Sequence, residues 1–167
     1  MGHNLTLDGG VNIMQDVTVE SRGFSDKVKM DTGFRVGLIA GFNLNEWAAL
    51  ELESGFLYNS VKDSDTWLGT VPVLGNVVFR FENASGFVPY IGAGAGGAYT
   101  MVRDGGADDS DFVFAYQGKI GVAYQISPCM ALDVGYKFFG TAEQKYDNFK
   151  LTDIYNHYIG ISLTWKF

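Results

Sequence analysis

The chain has 167 residues, a formal net charge of −7 at pH 7, 22 glycines, three prolines and an aromatic fraction of 15%. One domain, residues 1–167, is the default at this length, and the acidic balance excludes nucleic acid and other polyanions as partners held by general electrostatics. No run of about 18 apolar residues occurs, so no transmembrane helix is encoded, which leaves open a membrane protein built from strands.

Met1-Gly2-His3 leads directly into alternating residues, without the charged start and apolar core of a signal peptide. These three residues read as an added start to a mature chain, and His3 is given no role. Leu5, Leu7, Gly9, Val11 and Ile13 then alternate with Thr6, Asp8, Gly10, Asn12 and Met14, the period-two pattern of a strand with two unlike faces. From Gln15 to Asp31 the pattern dissolves into a long polar loop. It returns in the second strand, Thr32 to Asn43, with Phe34, Val36, Leu38, Ala40 and Phe42 opposed to Gly33, Arg35, Gly37, Ile39 and Gly41.

Asn43 to Glu46 is a short turn rich in turn formers. In the third strand Ala48, Leu50, Leu52, Phe56 and Tyr58 oppose Ala49, Glu51, Glu53, Gly55 and Asn59. A polar loop, SVKDSD, leads to the fourth strand, where Val71, Val73, Val77, Phe79 and Phe81 oppose Thr70, Pro72, Leu74, Asn76 and Arg80. Pro72 lacks a ladder donor and a closed sheet has no edge to host it, so it is expected near the loop end or at a bulge.

Glu82 to Gly86 is the second short turn. In the fifth strand Ile91, Ala93, Ala95, Tyr99 and Met101 alternate with Tyr90, Gly92, Gly94, Gly96 and Ala98. The acidic loop VRDGGADDSD follows. The sixth strand opposes Phe112, Phe114, Tyr116, Ile120, Val122 and Tyr124 to Gln117, Lys119, Gly121 and Gln125. After Ser127-Pro128-Cys129, the seventh opposes Leu132, Val134, Tyr136 and Phe138 to Asp133, Gly135 and Lys137. Cys129 is the single cysteine, so no intrachain disulfide forms. A loop from Gly140 to Asp153 leads to the eighth strand. There His157, Ile159, Ile161, Leu163, Trp165 and Phe167 oppose Asn156, Tyr158, Gly160, Ser162, Thr164 and Lys166.

Eight strands joined alternately by long loops and short turns predict an all-β fold: an antiparallel up-and-down transmembrane barrel with a polar, side-chain-filled interior. Its four longer loops face outside and its three short turns face the periplasm. Aromatics gather at both strand ends as interfacial belts. Phe42, Trp47, Phe79, Phe81, Phe87, Tyr124, Trp165 and Phe167 lie near the short turns, and Tyr58, Trp67, Tyr99, Phe112, Phe138 and Tyr155 near the long loops. A soluble barrel around a ligand would turn its apolar face inward. The other face here carries Asp8, Arg35, Glu51, Glu53, Arg80, Lys119, Asp133, Lys137 and Lys166, which cannot line a dry cavity.

The segments FVPYIGAGAGGAY (87–99), FAYQGKIGVAYQIS (114–127), LDVGYKFFGTAE (132–143) and the terminal YIGISLTWKF resemble the opacity-protein and small surface-antigen family of outer-membrane barrels. More distantly the chain looks like the transmembrane domain of outer-membrane protein A. The resemblance implies a bacterial outer-membrane location, lipid and lipopolysaccharide as surroundings, and a surface protein with adhesive or structural duties. It implies no catalytic residues and no cofactor. By the same resemblance, Tyr158, Trp165 and Phe167 belong to the terminal signal read by the barrel-assembly machinery.

The lumen charges are the most informative constellation. Five cations, Arg35, Arg80, Lys119, Lys137 and Lys166, face four acids, Asp8, Glu51, Glu53 and Asp133. In a narrow barrel they must pair or each costs several kcal/mol, so a plugging salt-bridge network is expected. Arg35 is expected about one register step from Glu53, and Lys166 diagonal to Asp8. A simple register sets Lys119 opposite Lys137, so either the register shifts or an acid sits between them.

The remaining motifs are weak. Gly92, Gly94 and Gly97 match G-x-G-x-x-G, but no helix follows to hold a pyrophosphate; these glycines read instead as room for large lumen neighbours. His157 lacks the serine two residues on that an outer-membrane lipid deacylase uses, Ile159 standing there. With His3 set aside, no histidine pair or Cys-His set is available for a metal, and His157 reads as an interface residue. The loops carry net charges of −1, −1, −3 and −1 in order. Arg103, Asp104, Asp108 and Asp109 in the third loop are the candidate contacts for a host or surface receptor. Its aspartates, Asp111 included, leave weak cation attraction open beside the preferred reading of a solvated tip. The expected function is that of a non-enzymatic surface protein, opacity- or adhesin-like or envelope-structural, acting through brief, mobile loop tips; the alternative is a small pore or a route for hydrophobic solutes.

Overall fold

The computed structural model describes residues 2–152 and 154–167, so Met1 and Asp153, the last residue of the expected fourth loop, lie outside the described residues. Among the described residues there are twelve strands: β1 (His3–Met14), β2 (Val17–Ser21), β3 (Phe24–Val28), β4 (Thr32–Asn43), β5 (Ala48–Ser60), β6 (Trp67–Arg80), β7 (Phe87–Asp104), β8 (Ala107–Ser127), β9 (Met130–Thr141), β10 (Gln144–Lys145), β11 (Lys150–Thr152) and β12 (Tyr155–Lys166). Eight of them close a barrel in the order β1-β12-β9-β8-β7-β6-β5-β4, with β1 pairing both β12 and β4. The other four form a separate sheet, β10-β11-β2-β3.

The barrel faces are inverted relative to a water-soluble protein. Leu52 and Ile161, on the outward rows, are 59% and 61% exposed, whereas Arg35 and Glu53, inside, are 0% exposed. That arrangement is stable only where the outward rows meet hydrocarbon and every strand edge is paired. His3 lies in the wall: it pairs with Phe42, its ring lies 5.3 Å from that of Phe42, and its backbone bonds Phe167 in both directions.

Pro72 stands in the middle of β6 and not at a loop end. The β5–β6 register is unbroken on either side, with Ser54 on Val73 and Leu57 on Thr70, so no bulge forms. The ladder instead skips Gly55 and Phe56 opposite Val71 and Pro72, which accommodates the missing N–H. Among the described residues, the one register shift of the wall falls between Gln125 and Ser127 at the periplasmic turn.

The outer end departs most from the expectation of loose tips. In the third loop β7 and β8 continue as a hairpin to Asp104 and Ala107. Only Gly105 and Gly106 turn the chain, both at positive φ (55° and 102°), which a tight hairpin requires and glycine supplies without strain. The first and fourth loops pair with each other, Leu151 opposite Val19, to make the four-stranded sheet. The sheet docks on the barrel mouth through one apolar cluster: Val17, Tyr146, Leu151 and Ile154 from the cap side meet Met14, Leu68 and Val102 from the walls. The expected mobile loops are therefore a packed lid, because two polar segments distant in sequence bury alternate apolar residues together.

Placing a charge in that cluster should separate lid from barrel. Leu151→Asp is expected to keep the faster migration of an unboiled barrel on a gel while trypsin gains access to Lys27, Lys145 and Lys150. Unchanged protease resistance would show that the lid does not depend on this cluster.

Candidate functional site

The inward residues of β1 mark the levels of the lumen. Asn4 and Thr6 lie near the periplasmic end, Asp8 in the middle, Asn12 above it and Met14 under the lid. A glycine faces Asp8: a Cβ on Gly37 would fall 2.1 Å from the Asp8 Oδ1. Gly94 plays the same part for an amide, since its Cβ would lie 1.9 Å from the Asn76 Oδ1. The glycine run of β7 thus leaves room for lumen side chains, with a Lys119 methylene 3.2 Å from the position of a Gly92 Cβ.

Glu53 is the hub of the middle level. One carboxylate oxygen, Oε1, accepts from Arg35 Nη2 and from Lys137 Nζ at 2.6 Å. The other, Oε2, accepts from Gln117 Nε2 at 2.7 Å and Asn76 Nδ2 at 3.0 Å, with Lys119 Nζ at 3.7 Å. Asp8 Oδ2 takes Lys137 Nζ at 2.8 Å and lies 3.5 Å from Arg35 Nε. Glu51 accepts from Lys119 and lies 3.4 Å from Arg80 Nη2. The register does set Lys119 opposite Lys137, and Glu53 with Glu51 and Asp8 between them neutralises both.

Several expected partners differ. Arg35 pairs across the ladder with Leu57 and Glu53 with Ile39, so the two are not register neighbours. They meet because strand tilt carries laddered residues to different heights and long inward side chains close the remaining offset between the neighbouring strands β4 and β5. Lys166 pairs with Asn4, not near Asp8, and its Nζ donates to Gln125 Oε1 at 2.7 Å. Asp133 has no ion-pair partner among the described residues; it accepts from Tyr90 Oη at 3.1 Å and Ser162 Oγ at 3.3 Å. Tyr158 is buried inside, its ring 5.4 Å from the Arg35 guanidinium and 5.3 Å from Lys137 Nζ, while Trp165 and Phe167 point outward at the periplasmic rim.

Sequence reasoning missed the neutral lumen residues. Gln117 and Asn76 complete the Glu53 shell, and Asn12 Nδ2 bridges Asn59 Oδ1 at 2.5 Å and Asn156 Oδ1 at 2.8 Å above it. An apolar patch of Leu57, Leu74, Ala98, Val113, Ala115 and Phe139 lines part of the same wall. Their inward parity was legible; attention to charge alone hid them. Above, Tyr146 Oη donates to Gln144 Oε1 at 2.8 Å and lies 3.0 Å from Thr100 Oγ1, and burial pushes its phenol up to about 12, so it stays protonated at neutral pH.

On the outer hairpin, Arg103 grips Asp108 with Nε at 2.6 Å and Nη2 at 2.8 Å. This bond holds the Asp108 carboxyl below its usual range and raises the guanidinium, both groups lying on the exposed surface. Asp104 accepts from Thr66 Oγ1 at 2.8 Å, Asp109 from the Asp147 N–H at 3.3 Å, and Asp111 from the Lys145 N–H at 2.8 Å. These carboxylates tie strand ends together and do not converge on one point; no metal-binding group occurs among the described residues. His157 lies between Tyr136 Oη at 2.7 Å on Nδ1 and Gln15 Nε2 at 2.8 Å on Nε2, on the outward face.

The model of the outer membrane protein beta-barrel domain matches residues 3–167. The chain belongs to this family. A protein of the bacterial outer membrane, it meets lipid with its outward rows. Among solved structures it is similar to Neisserial surface protein A, NspA, with a TM-score of 0.70 at 19% identity over 99% of this chain and 97% of that one. It is also similar to OprG from Pseudomonas aeruginosa, with a TM-score of 0.64 at 14% identity over 97% and 95%. Ail, the attachment invasion locus protein of Yersinia pestis, gives 0.50 at 17% identity over 99% and 100%. At these identities the likeness is one of fold. The search of curated proteins finds no match.

Glu53→Gln removes the charge that holds Arg35 and Lys137. The expected loss is about 3–5 kcal/mol, as for breaking a buried pair and leaving cations uncompensated. The urea midpoint of reversible folding into micelles measures it; a loss below about 1 kcal/mol, the level of an exposed pair, would show that the hub is dispensable.

Proposed function

We propose that this family member is a non-enzymatic surface protein, opacity- or adhesin-like or envelope-structural, that presents its lid and outer hairpin to the exterior and conducts nothing through its lumen. The observation that carries the reading is the double closure of the lumen: the Glu53 network across the middle and the lid cluster at the outer mouth. A conducting path needs a continuous wet file, and an eight-stranded wall leaves little width for one beside filled side chains. Catalysis needs a nucleophile and base in reach, and His157 is engaged instead by Tyr136 and Gln15.

In this reading the external partner meets an ordered surface: the β2–β3 hairpin, the β10–β11 segment and the Arg103–Asp108 hairpin. A preformed surface loses less conformational entropy on binding than mobile tips would. Lipopolysaccharide surrounds the outer belt, and the terminal Trp165 and Phe167 serve the assembly machinery before the barrel closes. The Yersinia protein is named for attachment, the activity this reading carries over.

Planar-bilayer recording tests the closed lumen. No reproducible single-channel steps are expected from the folded protein, and steps of constant size would favour a pore. Replacing residues 17–28 with a short Gly-Ser link should leave heat-modifiable migration intact and reduce adherence of expressing cells to host-cell monolayers at least fivefold. Equal adherence would leave the envelope-structural role and remove the adhesive one.

A further inference from the structure

Below the charge network the lumen widens into a cavity of about 380 Å³ that opens among the periplasmic turns. It is blind: Lys119 and Lys137 line its inner end, and both are neutralised there by Glu51, Glu53 and Asp8. Two other cations line it. Arg80 stands at the end of β6 and Lys166 at the end of β12. In the strand order these two staves are diametrically opposed, so the cations face each other across the mouth.

Neither is fully matched. Lys166 donates to the neutral Gln125 amide and has no ion-pair partner within 4 Å among the described residues, Glu82 acting on it from further off; Arg80 donates to Asn43 Oδ1 at 2.6 Å and to Glu51 Oε1 at 3.4 Å, but shares that carboxylate with Lys119 on Oε2. Asp133, which would repel an anion, lies deeper: it pairs with Ser162, four residues and about 13 Å along the strand from Lys166. Glu46 and Glu82 stand at the rim on the turns and disfavour polyanions.

We infer that the periplasmic cavity is a binding site for one small oxyanion, a phosphate, sulfate or carboxylate group, clamped between Arg80 and Lys166 from opposite walls. A guanidinium supplies paired donors to such a group and an ammonium a point charge, and the lumen walls screen both from bulk salt. The site faces only the periplasm, so it receives a ligand from inside the cell envelope and passes nothing on.

The test is an NMR titration of the folded barrel in a phosphate-free maltoside detergent with inorganic phosphate. Saturable shifts of the Arg80, Gln125 and Lys166 amides are expected, with affinity lowered at least tenfold in Lys166→Gln and in Arg80→Gln. Lys150→Gln, on the outer lid, should bind as the wild type does. Both cavity variants retain heat-modifiable migration if folded, and Lys166 lies outside the Glu53 hub. Absence of saturable shifts, or equal shifts in Lys166→Gln, would overturn the site. If the same resonances shift on transfer to phospholipid nanodiscs without added phosphate, and free phosphate then has no effect, the occupant is a lipid headgroup and the soluble-anion site is wrong.

Discussion

The structure depends on one constraint: a charge inside a membrane-spanning barrel must find an opposite charge or hydrogen-bond partners within the lumen. Glu53 meets that constraint for the centre of the molecule. It receives Arg35 and Lys137 on one oxygen and two amides on the other, and every one of these partners comes from a different strand. β4, β5, β6, β8 and β9 are therefore tied at one point by a single carboxylate, with β1 joined through Asp8. Desolvation makes such a cluster costly to form and more costly to break, so its members act together.

Around that centre the lumen is layered. The periplasmic third is polar and open, the middle charged and buried, and the outer part a mixture of the Asn12–Asn59–Asn156 amides with an apolar patch. The lid then closes it with a small apolar core of its own. The order has a physical logic. A lid resting on charge would have to satisfy those charges with its own polar groups, whereas the amide layer is self-bonded and leaves an apolar surface for Val17, Tyr146 and Leu151 to cover. The exterior of the cell is thus met by a small sheet held on a barrel, and the periplasm by a blind cavity.

Much of this was legible. Period-two alternation in Thr32 to Asn43 or Tyr155 to Phe167 gives both the strand and its facing, because each strand lies between two unlike surroundings. The charged lumen residues follow from the same parity. Their partners did not follow, since strand tilt moves Arg35 and Glu53 together from four register positions apart. Pro72 was misplaced for a different reason: a ladder can omit two pairs without a bulge, and nothing local marks where. The lid was hidden because its pairing joins Thr18–Glu20 to Lys150–Thr152, and neither segment alternates strongly enough alone to declare a strand.

The lipid face cannot by itself decide how these strands align. Sliding β5 by one residue against β4 would turn Glu53 to lipid and is forbidden outright. Sliding it by two keeps the same residues outward: Leu50 would take the place of Leu52, and hydrocarbon would not distinguish them. Inside, the same slip moves Glu53 by about 7 Å along the strand and takes it away from Arg35, Lys137 and Gln117 together. The apolar rows therefore place the chain in the membrane, and the buried charges select the register in which the barrel closes.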